Sequence, residues 1–366
     1  MKDRQVINVH QFTILVIFFG LGSSILIAPS ALAAVAKQDS WISSILGALA
    51  GLIPIVVYVS LLKRYPQKTL IEINELVFGK WLGKAVSVLY IFSFFLLSVL
   101  LLGDIGYFVT TEIMPETPIN FVMACLMVVV IYASRLGLEV ITKGAEIFFP
   151  WILLLYFLLL FMLLPQIHVE KIQPVLEYGI TPVLKAAFPF FSLQEYIVLI
   201  MFYPYVKLSK KTPQAFYIGA LITGVMLICL IMLCILVLGP NLTTENLYPT
   251  FTLAKKINIG NFIERVEVII GGLWFITISF KLLMTFFSTV LGISQMCQFK
   301  SYTFLTIPLG MLTVALVLPS YVNIVYVNQF VKRIWPSFSL IFMLLLPLLT
   351  WLIALFKKNH GSTIGP

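Results

Sequence analysis

Charge is scarce in this chain. Only 11% of its 366 residues are charged, against 60% hydrophobic, and mean hydropathy is +1.04. A soluble domain of this length would lack the polar side chains to cover its surface, so a soluble fold is excluded. Histidine is nearly absent, and His10, His168 and His360 lie too far apart for a metal or haem site. The four cysteines, Cys125, Cys229, Cys234 and Cys297, have neither metal-ligand spacing nor a disulfide framework. Phosphate-binding loop, nucleophile elbow and paired catalytic carboxylates are all missing. An enzyme is therefore the least supported class, with no cofactor. Polar stretches are too short for a separate soluble domain, and the first apolar run is longer than a signal peptide core, which makes it a retained helix.

What is abundant is apolar sequence in lengths of roughly 20 residues, enough to span a bilayer. Ten such spans are expected, at residues 12–36, 41–62, 86–110, 119–133, 140–164, 182–205, 215–238, 268–291, 304–318 and 336–356. The chain reads as one all-α polytopic membrane domain over 1–366. Between the second and third spans, residues 69–78 fit a short helix in the membrane interface. The net charge of +9 suits a membrane protein with basic cytoplasmic loops better than a nucleic-acid partner. An even span count puts both termini on one side. With that side cytoplasmic, 15 Lys and Arg fall inside, 8 outside, and Lys281 within a span. The bias places both termini in the cytoplasm.

Two spans are interrupted. Gly20-Leu21-Gly22-Ser23-Ser24 breaks the first, and Phe191-Ser192-Leu193-Gln194-Glu195 breaks the sixth. A break frees backbone N–H and C=O groups that cannot face lipid, so it persists where it lines a cavity. Matched breaks point to a binding site near the bilayer midplane. Five spans per half reverse the orientation of the second half. The result is a 5+5 inverted repeat, residues 1–165 and 166–366, as in leucine-transporter-like folds with broken helices 1 and 6.

At the first break, Gly20 and Gly22 permit backbone angles closed to other residues, and Ser23 and Ser24 offer hydroxyls to backbone or ligand. A helix restarting near Ile25 would aim its N-terminal N–H groups into the cavity and favour a carboxylate; the alternative is a tight helix crossing on small residues. Glu195, near mid-span, costs roughly 2.5–3.5 kcal/mol to insert. It can bind a ligand ammonium, carry a proton, or cap freed N–H groups. Asp104 is expected ~8 Å deep and Lys281 ~20 Å deep at 1.5 Å per residue. That difference favours Glu195 over Asp104 as partner of Lys281, with snorkelling to the headgroups as the alternative. These three are the candidates for intramembrane charge or proton coupling. Glu264 and Glu267 start the eighth span, where acids complement the helix dipole, and Glu146 lies near the start of the fifth.

Five segments resemble a known family: Leu21-Gly-Ser-Ser-Ile-Leu-Ile-Ala-Pro29, Gly79-Lys-Trp-Leu-Gly83, Glu116-Thr-Pro-Ile119, Gln173-Pro-Val-Leu176 and Gly260-Asn-Phe-Ile-Glu-Arg-Val-Glu267. Their order along the chain is similar to that of the GerAB-type B subunits of spore nutrient germinant receptors, in the amino acid–polyamine–organocation transporter superfamily. The resemblance implies a multi-pass protein of the spore inner membrane, acting with A and C subunits. It would sense a small nutrient, commonly an amino acid, between the first and sixth helices. The lysine near mid-membrane also resembles the group that replaces a sodium ion in sodium-independent permeases of this fold. Where the family commonly has Gly-Ala-Gly and Gly-x-Glu, this chain has Gly22-Ser23-Ser24 and Leu193-Gln194-Glu195, so Ser24 and Leu193 should narrow the pocket or alter its hydrogen bonding. The expected ligand contacts are Gly20, Gly22, Ser23, Ser24, Phe191, Ser192 and Glu195. A proton-coupled amino acid permease and an ion- or water-conducting component are the alternatives.

Overall fold

The computed structural model describes residues 7–207, 209, 211–256, 266–321 and 324–357. The segment Gly260–Arg265, and with it Glu264, lies outside the described residues, as do His360, Lys2, Arg4, Lys210 and Lys358. Among the described residues the regular structure is helical throughout, apart from an isolated parallel bridge between Ile7 and Val206.

The first apolar run forms α1 (Val9–Leu21) and α2 (Ser24–Ala36), separated at Gly22 and Ser23. A capping box opens α1: the Asn8 side chain accepts from Gln11 N–H, and the Gln11 side chain accepts from Asn8 N–H. After a 3₁₀ turn at Lys37–Asp39 come α3 (Ser40–Arg64) and the short α4 (Leu70–Phe78). The latter is the helix expected at 69–78, opened by a capping box between Thr69 and Glu72. Next are α5 (Lys80–Phe108), α6 (Ile119–Leu136) and α7 (Leu138–Leu163). A π turn, Val109–Ile113, prolongs α5, so Asp104 lies nine residues from the end of its helix and deeper than the sequence suggests.

In the second half, α8 (Ile180–Ser192) ends at the second break. The chain beyond it does not resume an α-helix. It runs as two 3₁₀ segments, Tyr196–Met201 and Tyr203–Tyr205, all nine residues buried. A 3₁₀ helix rises ~2.0 Å per residue against ~1.5 Å in an α-helix, so few residues cover the remaining depth. Then follow α9 (Thr212–Leu238), α10 (Pro240–Glu245), α11 (Pro249–Lys255), α12 (Glu267–Met296), α13 (Thr306–Ser320) and α14 (Ile324–Arg333). The last pass is α15 (Trp335–Leu340), a π turn at Ile341–Leu345, and α16 (Leu346–Leu355).

Among the described residues, nine helical stretches are long and apolar enough to cross a membrane. One of them, Ser24–Arg64, has 41 residues. Unbent it would be ~60 Å long, twice the ~30 Å hydrocarbon layer; the turn at Lys37–Asp39 divides it into two passes. With α1 as the other half of the first pass, the crossings among the described residues number ten.

Burial sorts the helices into two shells. The broken pair, α9 and α12 are buried over most of their length, whereas α6, α7 and α13 turn long apolar faces outward. In a bilayer those faces meet acyl chains, so exposed leucine and phenylalanine there carry no penalty. Small residues let the inner helices close up. A Cβ on Gly219 of α9 would stand 2.6 Å from the Val16 Cβ of α1, and one on Gly47 of α3 2.7 Å from the Phe190 ring of α8. α12 packs on both α1 and α5, which sets its midpoint between the two breaks.

Candidate functional site: a lysine between two helix breaks

α1 ends as Gly22 N–H donates to Phe18 O at 3.1 Å, with Gly22 at φ −13°, ψ −100°. Ser23 is the N-cap of α2, yet its side chain makes no capping bond. Its hydroxyl instead accepts from Lys281 Nζ at 3.0 Å. Across the site, α8 ends at Ser192, leaving its last carbonyls without helical partners. The Leu193 carbonyl accepts from Lys281 Nζ at 3.2 Å, and the Ser192 carbonyl from Ser339 Oγ at 2.9 Å. A cation at a helix C-terminus is electrostatically favoured.

The third acceptor is Glu195, whose Oε2 lies 2.7 Å from Lys281 Nζ. Its other oxygen accepts from the Trp335 indole Nε1 at 3.0 Å. Lys281 is 0% exposed and Glu195 5%. An unpaired charge at such depth would be prohibitively costly. Here all three ammonium hydrogens have acceptors and both carboxylate oxygens have donors, while the Phe19 ring centroid lies 5.2 Å from Nζ. Of the two readings open for Lys281, pairing with Glu195 is the one the geometry adopts, rather than snorkelling.

The glycines of the first break act through proximity. Neither has a positive φ. A Cβ on Gly22 would meet Lys281 Cδ at 2.5 Å, and one on Gly20 would meet the Tyr196 hydroxyl at 2.4 Å and Thr223 at 2.6 Å. At both glycines the lysine stem and the tyrosine occupy the space where a side chain would stand.

The remaining candidates divide. Ser24 Oγ is fully buried and has no hydrogen-bond partner among the described residues; the same holds for Gln194 Nε2. Gln194 lies against α3, where a Cβ on Gly51 would fall 2.0 Å from its Oε1. Phe191 is buried and stacks on Phe188 at 6.4 Å. Asp104 is not in the lysine cluster: its Oδ1 accepts from the Tyr321 hydroxyl at 2.6 Å, where α13 ends. Glu146 ties α7 to α1 by accepting from Gln11 Nε2 at 2.8 Å. No cluster of histidine, cysteine and acidic residues able to hold a metal occurs among the described residues.

Trp335 and Ser339 complete the site without having been singled out in the sequence, and Leu193, marked there as a departure from the family pattern, contributes its carbonyl. Trp335 precedes a proline at the start of the last span and reads there as an interfacial anchor. Only Ser339, a hydroxyl within an apolar run, carried a local hint. The site is closed around its own ion pair, with a cavity of about 20 Å³ beside Glu195 and Trp335, the size of one water molecule.

Comparison with solved structures places this architecture. MhsT in complex with L-phenylalanine aligns over 94% of this chain and 97% of its own, with a TM-score of 0.65 at 16% identity. Mhp1, a nucleobase-cation-symport-1 family transporter in a closed conformation with bromovinylhydantoin bound, aligns over 93% of this chain and 78% of its own, with a TM-score of 0.68 at 10% identity. The fold is thus the leucine-transporter-like one, with broken first and sixth helices. Among proteins similar in sequence, spore germination protein KB of Bacillus subtilis (strain 168) is 30% identical over 98% of this chain and 97% of its own length. Putative spore germination protein YfkT of the same organism is 28% identical over 92% of each chain. The family model described as "Spore germination protein" matches residues 6–325, and the chain belongs to that family.

Proposed function

We propose that this member of the spore germination family senses a small nutrient zwitterion, an amino acid, at the junction of its two broken helices. The observation that carries the reading is the Lys281–Glu195 pair, buried between the breaks with one charge of each sign. A zwitterion matches both charges. Its ammonium would take the place of Nζ at Glu195 and the Leu193 carbonyl. Its carboxylate would turn toward the start of α2, where the buried Ser24 hydroxyl lacks a partner among the described residues and the helix dipole favours an anion.

An amino acid is several times larger than the 20 Å³ beside Glu195, so binding has to part the pair and separate the breaks. The protein then has two states, paired and liganded, and the nutrient biases their equilibrium by its differential affinity. Partner A- and C-type subunits would read that bias in the spore inner membrane, with both termini cytoplasmic. The chain's own lysine supplies the positive charge at the breaks, so the paired state needs no inorganic cation.

Germination dose-response in spores tests the reading. Ser24→Ala and Glu195→Gln should raise the amino acid concentration required at least tenfold while the protein remains in the membrane. An unchanged dose-response in both variants would refute it. A proton-coupled permease is the second reading, favoured by the transporter fold. Flux of labelled amino acid into proteoliposomes under a proton gradient separates the two, because a sensor binds without net uptake.

A further inference from the structure

Tyr321, the residue that closes α13, is seated on one face of α5. Leu100, Gly103, Asp104 and Tyr107 share that face at i, i+3, i+4 and i+7, and all four meet the tyrosine. A Cβ on Gly103 would fall 2.3 Å from the Tyr321 ring. The Tyr107 ring stacks on it at 5.1 Å, and the Tyr107 hydroxyl donates to the Tyr321 carbonyl at 2.9 Å. The Tyr321 hydroxyl lies 2.6 Å from the Leu100 carbonyl and 2.6 Å from Asp104 Oδ1. Both distances are in hydrogen-bond range.

A phenolic hydroxyl carries one hydrogen, and a carbonyl carries none. With Asp104 ionised, that hydrogen serves the carboxylate, and the Leu100 and Tyr321 oxygens oppose lone pairs at 2.6 Å. With Asp104 protonated, both contacts become hydrogen bonds: the carboxyl donates to the Tyr321 oxygen, and Tyr321 donates to Leu100. Among the described residues no cation takes the place of that proton. Across α12, Lys281 is committed to Glu195 at 2.7 Å. Glu112, beyond α5, is paired with Lys255 at 2.9 Å. The other titratable groups that face the site are Tyr107 and, ahead of α11, Tyr248. α6 presents Ile119 and Met123 to the neighbouring Gly106. An unpaired carboxylate within the membrane is costly, and a bound proton removes its charge.

We propose that Asp104 is a proton-binding site and that its proton fastens the end of α13 to α5. Loss of the proton turns the Tyr321 hydroxyl toward the carboxylate and sets two oxygens against each other at Leu100, so the contact loosens. The site stands apart from the Lys281–Glu195 pair, whose charges already compensate each other.

The test is infrared difference spectroscopy of the full-length protein at neutral pH, parent against Asp104→Asn. The difference should show loss of one protonated-carboxyl C=O band and no loss of ionised carboxylate. In Tyr321→Phe the same band should persist and move to higher frequency, because the carboxyl has lost its acceptor. Raising the pH until the band disappears should lower the thermal midpoint of the parent more than that of Asp104→Asn. At neutral pH the amide of Asp104→Asn donates as the protonated carboxyl does, so its midpoint should stay within ~2 °C of the parent. Asp104→Leu has no donor and should fall ~2–6 °C. Loss of an ionised carboxylate band in Asp104→Asn, or a band unmoved in Tyr321→Phe, would overturn the proposal. So would an Asp104→Asn midpoint as low as that of Asp104→Leu.

Discussion

Glu195→Gln keeps the shape of the side chain and removes its charge, leaving the Lys281 ammonium buried with only neutral acceptors. At the observed 2.7 Å the Coulomb attraction is ~6 kcal/mol at an effective dielectric near 20. Desolvation of both charges offsets part of it, and breaking one partner of such a pair typically costs ~3–5 kcal/mol. At ~2 °C per kcal/mol for a chain of this size, the unfolding midpoint should fall ~6–10 °C. Lys281→Met alone should fall comparably, because it strands the carboxylate. The double variant removes both charges, and replacing a whole buried pair by neutral groups is often nearly free; its midpoint should lie within ~3 °C of the parent. The assay is thermal unfolding of the purified protein in one detergent, followed by circular dichroism. A Glu195→Gln midpoint within ~1 °C of the parent, or a double variant as unstable as the sum of the singles, would refute the account of Lys281 as a paired buried charge.

Three further outcomes follow from the same geometry. Gly22→Ala would push a methyl group against the lysine stem, 2.5 Å from Cδ, and should cost ~1–3 kcal/mol as overpacking, read as a lower midpoint in the same unfolding assay. Trp335→Phe removes the indole donor to Glu195 and should cost ~1.5–3 kcal/mol, the range for a hydrogen bond to a charged group. Tyr321→Phe removes the hydroxyl donor to Asp104 and should cost ~1–3 kcal/mol; nutrient affinity should stay unchanged, because Asp104 stands outside the lysine cluster.

Both breaks were legible because each interrupts apolar periodicity with residues that a lipid-facing helix rejects: Gly22, Ser23 and Ser24 in one, Gln194 and Glu195 in the other. Depth alone also suggested Glu195 over Asp104 as partner for Lys281. What the sequence could not show is set by tertiary contact. Trp335 meets Glu195 across 140 positions, and no local pattern links them. The role of Gly20 and Gly22 depends on Tyr196 and Lys281, residues on other elements. The 3₁₀ course of Tyr196–Tyr205 is equally hidden, because its apolar residues read the same in either helix type and packing decides between them. The π turn at Val109–Ile113, which deepens Asp104, has no compositional mark either.

Equilibrium binding of a panel of radiolabelled amino acids to the purified protein tests the central claim most directly. The account predicts saturable binding of at least one zwitterion, weakened at least tenfold by Glu195→Gln and by Ser24→Ala. Binding of equal strength in the parent and in the Glu195→Gln and Ser24→Ala variants would place the ligand elsewhere and contradict it.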